Sequence, residues 1–331
     1  MDKRWVHLLM AIFLGLVFPM VLLATVSGRS DDQPHAVQET TFDGVNPTDD
    51  TTASPSQKSN ITISVLMQNG SVENMPLNDY VLRVVLAEMP ASFEIEALKA
   101  QSVVARTYTL RRYEGLAKHE SAVICTDASC CQGYKTEDSY LNDSGTASDL
   151  NKIKQAVEAT GDIVLVYEGE LIEATYFSCS GGTTEDAAAV WGEDIPYLQS
   201  TKSPGEEQAA HYTDTVSFTA SEFERLLGLE IAGSTDSWIG EITFTEGNGV
   251  DTIEIGGRSY SGTEIRSLLG LRSTAFTVTV IGESIVITTK GYGHRVGLSQ
   301  YGADAMAAQG KSFEDILLHY YNGTQLVCYT D

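Results

Sequence analysis

From Ile61 the segment ITISVLMQ alternates apolar and polar positions with the period of two that marks a half-buried strand. The period then changes. PLNDYVLRVVLAEMP is apolar on nearly every helical face, so it predicts a largely buried helix with Asn78 or Asp79 as its cap and Pro90 as its stop. A second helix is expected from about Phe93 to Arg112, where Ala97, Ala100, Ser102 and Ala105 allow close packing on the first. The stretch from Ser121 to Ser148 is polar, holds Cys125, Cys130 and Cys131, and needs a local staple. After a helix near Leu150–Thr160, GDIVLVYEGELIEATYFS reads as a hairpin turning at Glu168, Gly169 and Glu170. Strand patterns recur around Thr213–Phe218, Ile239–Phe244, Val250–Ile255, Phe276–Val280 and Ser284–Thr289. Helices are expected near Ser221–Leu227, Gly262–Leu269, Ser299–Gln309 and Ser312–Tyr321, and no internal repeat is evident. This order predicts an α+β fold, mixed helical and mainly antiparallel β, rather than a regular βαβ alternation.

The N-terminus follows another rule. No Asp, Glu, Lys or Arg occurs from Trp5 to Gly28, a mostly apolar run longer than the ~20 residues a spanning helix needs. Lys3 and Arg4 precede it and acidic residues follow, which places the N-terminus in the cytoplasm and the rest outside. The run exceeds a usual signal-peptide core and no clean A-x-A site follows, so an uncleaved anchor is expected. Residues 1–28 are thus read as one transmembrane helix, 29–60 as an acidic, proline-containing flexible tether, and 61–331 as one extracytoplasmic domain. Lys plus Arg number 21 against 45 Asp plus Glu, a net charge of -24. Such a chain has no extended basic surface, which argues against nucleic acid as a partner.

Three groups of residues carry candidate chemistry. Glu88 follows Val81, Val84 and Val85 at helical spacing, and a carboxylate on that stripe is costly unless it is paired or lines a cleft, the setting of a general acid. Spacing alone leaves open a Glu88 that emerges into water or pairs with Arg106. His119, Cys125 and Cys131, with Cys130 as a further candidate, offer an imidazole and thiolates suited to tetrahedral zinc, while a disulfide is the ordinary state of such cysteines outside the cytoplasm. Cys179 and Cys328 are either buried thiols or a pair. The third group is GYGHRVGLSQYGADAM at 291–306, where glycines allow close ligand approach beside His294, Gln300 and Tyr301; it equally suits a plain strand-to-helix turn. It is not GxGxxG. YFSCSGGTTE at 176–185 also joins a strand to a glycine turn, and without a GxSxG elbow or an evident base for Ser178 or Ser180 it argues against serine hydrolysis.

NDYVLRVVLAEMPASFEIEALKAQSVVARTYTL, TYFSCSGGTTEDAAAVWG and GYGHRVGLSQYGADAMAAQGKSFEDILLHYY together resemble the stage II sporulation protein D family of endospore-forming bacteria, in the family's order and over most of 78–321. The resemblance implies a lytic transglycosylase acting on peptidoglycan glycan strands, with Glu88 as catalyst. It implies Gln101, Arg106, Tyr176, Ser178, His294, Gln300 and Tyr301 as cleft residues, and a zinc ion on His119, Cys125 and Cys131, with Cys130 as a fourth candidate. It also implies strands already stripped of stem peptides by a sporulation amidase, and work beside other membrane-anchored engulfment proteins at the mother-cell membrane facing the forespore septum. A related branch, the amidase enhancers, implies instead a non-catalytic activator of an amidase. Arg295 stands where the family's loop has glycine, which bears on the loop's conformation. Whether Glu94, Glu96 or Asp304 supplies a second carboxylate is not legible in the sequence.

Overall fold

The computed structural model describes residues 61–330 apart from residue 144, so the expected anchor (1–28) and tether (29–60) lie outside the described residues. Among the described residues no helix is long and apolar enough to cross a membrane. The chain opens with an antiparallel hairpin, β1 (Thr62–Leu66) and β2 (Val72–Pro76), leading directly into α1 (Leu77–Glu88). Neither Asn78 nor Asp79 caps α1. The flanking residue is Pro76, whose fixed φ of -56° suits a helix start, and the Asn78 amide oxygen instead accepts from Arg106 Nε at 3.3 Å. Met89 is already extended ahead of Pro90 and ends the helix as the sequence predicts.

α2 (Ile95–Arg111) is the central element and packs against α1, α4 (Ala147–Ala159), α8 (Gln300–Ala308) and α9 (Phe313–Tyr320). It is buried from Ala97 to Leu110 except for Lys99. A helix buried on all faces must satisfy its own polar side chains. Ser102, Thr107 and Thr109 do so by donating to the carbonyls four residues back, at 2.7, 2.8 and 2.7 Å. Its start is held from afar, by Asp304 Oδ1 of α8 accepting the Glu94 N–H at 2.7 Å. Around this helix lie β3 (Ile124–Cys125), parallel to β1, then α3 (Glu137–Asp143) and the hairpin β4 (Ile163–Tyr167) with β5 (Glu170–Leu171). That hairpin turns on Glu168 and Gly169 alone, both at positive φ. β6 (Tyr176–Phe177) and α5 (Ala187–Trp191) follow, and the chain later returns through β13 (Leu298–Ser299), parallel to β6, and closes on β14 (Gln325–Cys328), antiparallel to β4.

Between α5 and β13 the chain builds a second core of its own, from β7 (Thr213–Thr219), α6 (Ala220–Leu227), β8 (Ile239–Phe244), β9 (Val250–Ile255), β10 (Arg258–Ser261), α7 (Gly262–Leu269), β11 (Phe276–Ile281) and β12 (Ser284–Lys290). Here the expectation of no internal repeat is corrected. β8–β9–β10–α7 and β11–β12–β7–α6 are two copies of one antiparallel three-strand and helix unit, with sheet orders β10-β9-β8 and β11-β12-β7. Both helices start with a capping box, Thr219 with Glu222 and Ser261 with Glu264, and both end on a left-handed glycine within Leu-Leu-Gly-Leu, at Gly228 and Gly270. The second copy is split by the chain, entering on its last strand and helix and returning for its first two strands. That circular order hides the repeat from a linear reading.

Candidate functional site

α1 delivers Glu88 to its last turn, half-buried at the edge of the main core. Its Oε1 accepts the backbone N–H of Gly133 at 2.7 Å, and its Oε2 lies 3.5 Å from the Gln300 side-chain nitrogen. The same Gln300 nitrogen is 3.5 Å from Gln101 Oε1, while Gln101 Nε2 is buried without a partner. The Tyr176 hydroxyl donates to Gln132 Oε1 at 3.4 Å, and Gln132 Nε2 donates to Thr109 at 3.0 Å and to Tyr80 at 3.5 Å. Burial, and next the Glu88 carboxylate, push the Tyr176 hydroxyl well above the usual tyrosine range, so it stays protonated and a donor. Glu88, Gln101, Tyr176 and Gln300 are therefore brought together.

Tyr301 and Ser178 stand beside this group: the Tyr301 N–H donates to the Ser178 carbonyl at 3.0 Å, and the Tyr301 ring meets Phe93 edge-on at 4.9 Å. Arg106 is not brought there. Its guanidinium is fully buried at the opposite end of α1, donating to Asn78, the carbonyls of Ile163 and Val157, and Thr160. It fastens α2 to α4 and β4, and neither it nor any other cation forms an ion pair with Glu88 among the described residues. Two of the three other carboxylates weighed from sequence are engaged elsewhere: Asp304 accepts the Glu94 N–H ahead of α2, and Glu96 pairs with Lys99 and accepts the Phe313 N–H, while the Glu94 side chain is exposed.

The excursion after α2 gathers His119, Cys125, Cys130 and Cys131, whose donor atoms all lie within 4.8 Å of one another. His119 Nε2 is 3.6 Å from both Cys130 Sγ and Cys131 Sγ, and those sulfurs are 3.8 Å apart. Tetrahedral zinc with bonds of about 2.3 Å to sulfur and 2.0–2.1 Å to nitrogen sets sulfur–sulfur and sulfur–nitrogen edges of about 3.8 and 3.6 Å. The donor set fits such an ion. All five cysteines are free thiols, Cys179 buried and Cys328 exposed. Burial and the neighbouring Cys125 and Cys130 thiols push Cys131 up to about 12, a cost that a bound cation removes. Gln132 and Gly133, missed in the sequence, follow Cys131 directly, so one loop carries both the donors and the contact to Glu88. A Cβ on Gly133 would sit 2.7 Å from Glu88 Oε1.

The glycine motifs are held by two buried carboxylates that the sequence reading also missed. Glu206 accepts from the N–H groups of Ser180 and Gly181, each at 2.9 Å, and from the hydroxyls of Ser180, Ser203 and Ser299. It ties the 176–185 turn to the start of α8. Arg295 adopts φ +68°, the left-handed conformation a glycine takes freely. Its guanidinium repays that strain by pairing with Glu185 at 2.9 Å, each 1% exposed, and by donating to the carbonyls of Ser180, Thr183 and Gly247 at 2.7, 2.8 and 2.6 Å. His294, one residue earlier, accepts the Val296 N–H at Nδ1 (3.1 Å) and packs its ring on Phe177 and Trp191 at 5.6 and 5.4 Å. Burial, helped by the nearby Arg266 charge, lowers its pKa to about 4, so the imidazole is neutral with its proton on Nε2.

Fold and site define an α+β protein in which one half-buried carboxylate, ringed by polar side chains, is held by a loop that also carries an imidazole–thiol cluster. The Stage II sporulation protein family profile matches residues 67–167. Over 267 residues the chain is 44% identical to stage II sporulation protein D of Bacillus subtilis (strain 168), covering 78% of this chain and 76% of that protein. It is 44% identical over 263 residues to the stage II sporulation protein D of Bacillus amyloliquefaciens, with the same coverage. The amidase enhancer of Bacillus subtilis (strain 168) is 31% identical over 305 residues, which span 74% of this chain and 40% of that protein. The chain belongs to the stage II sporulation protein D family, as its motifs indicate, and is related to the amidase enhancer.

Proposed function

We propose that this sporulation protein is a peptidoglycan lytic transglycosylase in which Glu88 does all the proton transfer. The observation that carries the reading is a half-buried carboxylate, oriented by the Gly133 N–H at 2.7 Å, with Asp304 and Glu96 engaged in other contacts and Glu94 exposed. A glycosidase that admits water usually needs two carboxyl groups roughly 5–9.5 Å apart. One suffices when the substrate supplies its own nucleophile. Protonated Glu88 gives its proton to the oxygen bridging muramic acid C1 to the next sugar, and that C1–O bond breaks. The carboxylate then takes the proton of the muramic 6-hydroxyl as O6 bonds to C1, leaving a 1,6-anhydro end and regenerating the acid. Such proton transfer is worth about 10² to 10⁴ in rate.

Tyr176, Gln300 and Gln101 present the polar groups that would orient the N-acetylated sugars around that bond. Zinc is proposed on His119, Cys125, Cys130 and Cys131 as a structural ion, since four protein donors leave no open position. In this reading residues 1–28 anchor the chain in the mother-cell membrane, and the outer part acts on septal glycan that an amidase has already stripped of peptides, beside other anchored engulfment proteins. Digestion of such glycan by the full chain and by Glu88→Gln tests it. Anhydro ends made only by the wild type support the reading. Equal products from both proteins overturn it, and no cleavage alongside stimulation of an amidase supports the activator role named for the 31%-identical relative.

A further inference from the structure

Beyond the contacts of Glu88, the strongest unassigned feature is one exposed aromatic ring and one unpaired cation near His294. Trp191 ends α5 and is 43% exposed, although it is held in a defined position. Asp186 caps α5 by accepting the Ala189 N–H at 2.6 Å, and Gly192 ends it in the left-handed conformation. The residue before the cap is Glu185, whose buried pair with Arg295 locks the start of α5 to the segment that carries His294. The Trp191 and His294 ring centroids are 5.4 Å apart, and His294 in turn packs on Phe177, the neighbour of Tyr176. Trp191 thus stands two ring contacts beyond Phe177, on a rigid support outside the Glu88 group.

Arg266 belongs to α7 of the inserted core, and residues 261–263 at the start of that helix line one small cavity together with Ala189 and Val190 of α5. Among the described residues Arg266 is the one lysine or arginine that is not exposed and yet has neither a side-chain hydrogen bond nor an ion pair. In a chain with 45 acidic residues against 21 basic ones, an unpaired half-buried guanidinium is conspicuous. The other arginine of this region, Arg272, is already paired with Asp214 at 3.1 Å and lies against the exposed Tyr292 ring. Arg266 lies close enough to His294 and Tyr292 for its charge to act on both.

We infer that Trp191 and Arg266 form a distal glycan subsite, in which the indole takes the apolar face of a pyranose and the guanidinium takes the carboxylate of a carboxyl-ether substituent on that sugar or its neighbour. A flat exposed ring beside a neutral, fixed imidazole suits a sugar face, and a guanidinium presents paired donors to a carboxylate. The assignment rests on the glycan-cleaving reading and adds its specificity. Removal of the stem peptide frees that carboxylate, and Arg266 reads its charge, so stripped strands are preferred over peptide-bearing ones.

Binding to the full-length Glu88→Gln chain tests this without turnover, using two probes: the neutral tetramer of N-acetylglucosamine and a stripped glycan tetrasaccharide whose alternate sugars carry the free carboxylate. Trp191→Ala is expected to weaken both about tenfold or more, and Trp191→Tyr to retain most of the affinity. Arg266→Gln is expected to weaken only the carboxylate probe, roughly 10- to 100-fold as a charge-assisted hydrogen bond warrants, with Arg266→Lys intermediate. Equal weakening of both probes by Arg266→Gln, or no effect of Trp191→Ala on either, overturns the subsite. The selective pattern in a protein that never cleaves glycan would leave the subsite standing while the transglycosylase reading fell.

Discussion

The backbone N–H of Gly133 donates to Glu88 Oε1 at 2.7 Å, across 45 residues of sequence and two residues after the metal-type donor Cys131. Glu88 is therefore held by the same loop that carries the imidazole–thiol donors. Gly133→Ala would place a methyl group 2.7 Å from that oxygen and push the carboxylate off its donor. Glycan cleavage should fall by about 10² or more, since orientation of the acid is lost. Thermal unfolding, read alongside, should change little, because the glycine lies at the site's edge. Unchanged cleavage would remove Gly133 from the machinery.

The ion itself is tested by removal. Zinc-finger peptides gain roughly 10–16 kcal/mol of apparent binding energy from zinc, and this loop should gain a fraction of that, several kcal/mol. Elemental analysis of protein purified without added metal should find one zinc per chain, and Cys131→Ser should lose it. Hydrogen exchange across residues 119–135 should then accelerate while α4 stays protected. Oxidised Cys125 and Cys131 in metal-free protein would give the disulfide reading instead.

Arg295 gives a stability prediction with two opposing parts. Replacing it with glycine relieves a left-handed residue, worth about 1–2 kcal/mol, but leaves Glu185 buried and unpaired, which costs about 3–5 kcal/mol. The net loss should be roughly 1–4 kcal/mol by denaturant unfolding. Arg295→Gly combined with Glu185→Ala should recover part of it, and a stabilising single substitution would refute the account of the loop.

His294 supplies a pH dependence. Its folded pKa of about 4 lies below the ordinary value of 6.5, so between those values the unfolded chain binds the extra proton. Stability should be unaffected above pH 6.5 and lost as pH falls towards 4, by roughly 3 kcal/mol for a shift of this size. His294→Gln should flatten that part of the wild-type curve. The same slope in both proteins would assign the acid sensitivity to other groups.

What could be read in advance followed local pattern. α1, α2 and the carboxylate at the end of α1 are legible because apolar periodicity and Pro90 bound them, and the donors 119–131 because thiols and imidazole carry their own chemistry. Arg106 was misplaced in the cleft for a physical reason: a buried guanidinium can satisfy its donors on carbonyls such as Ile163 and Val157, which no motif marks. Gly133 and Glu206 were missed because their roles depend on chain crossings, 45 residues from Glu88 in one case and 93 residues from Ser299 in the other. The edge strands β2 and β10 escaped because their side chains are largely polar or exposed.

The central claim is that one carboxyl group completes the reaction without water. Digestion of stripped glycan in heavy-oxygen water, followed by mass spectrometry of the new ends, measures this directly. The account predicts 1,6-anhydro muramic ends free of heavy oxygen, absent when Glu88→Gln replaces the wild-type protein. Reducing ends that carry the heavy isotope would show that water attacks C1, and would contradict it.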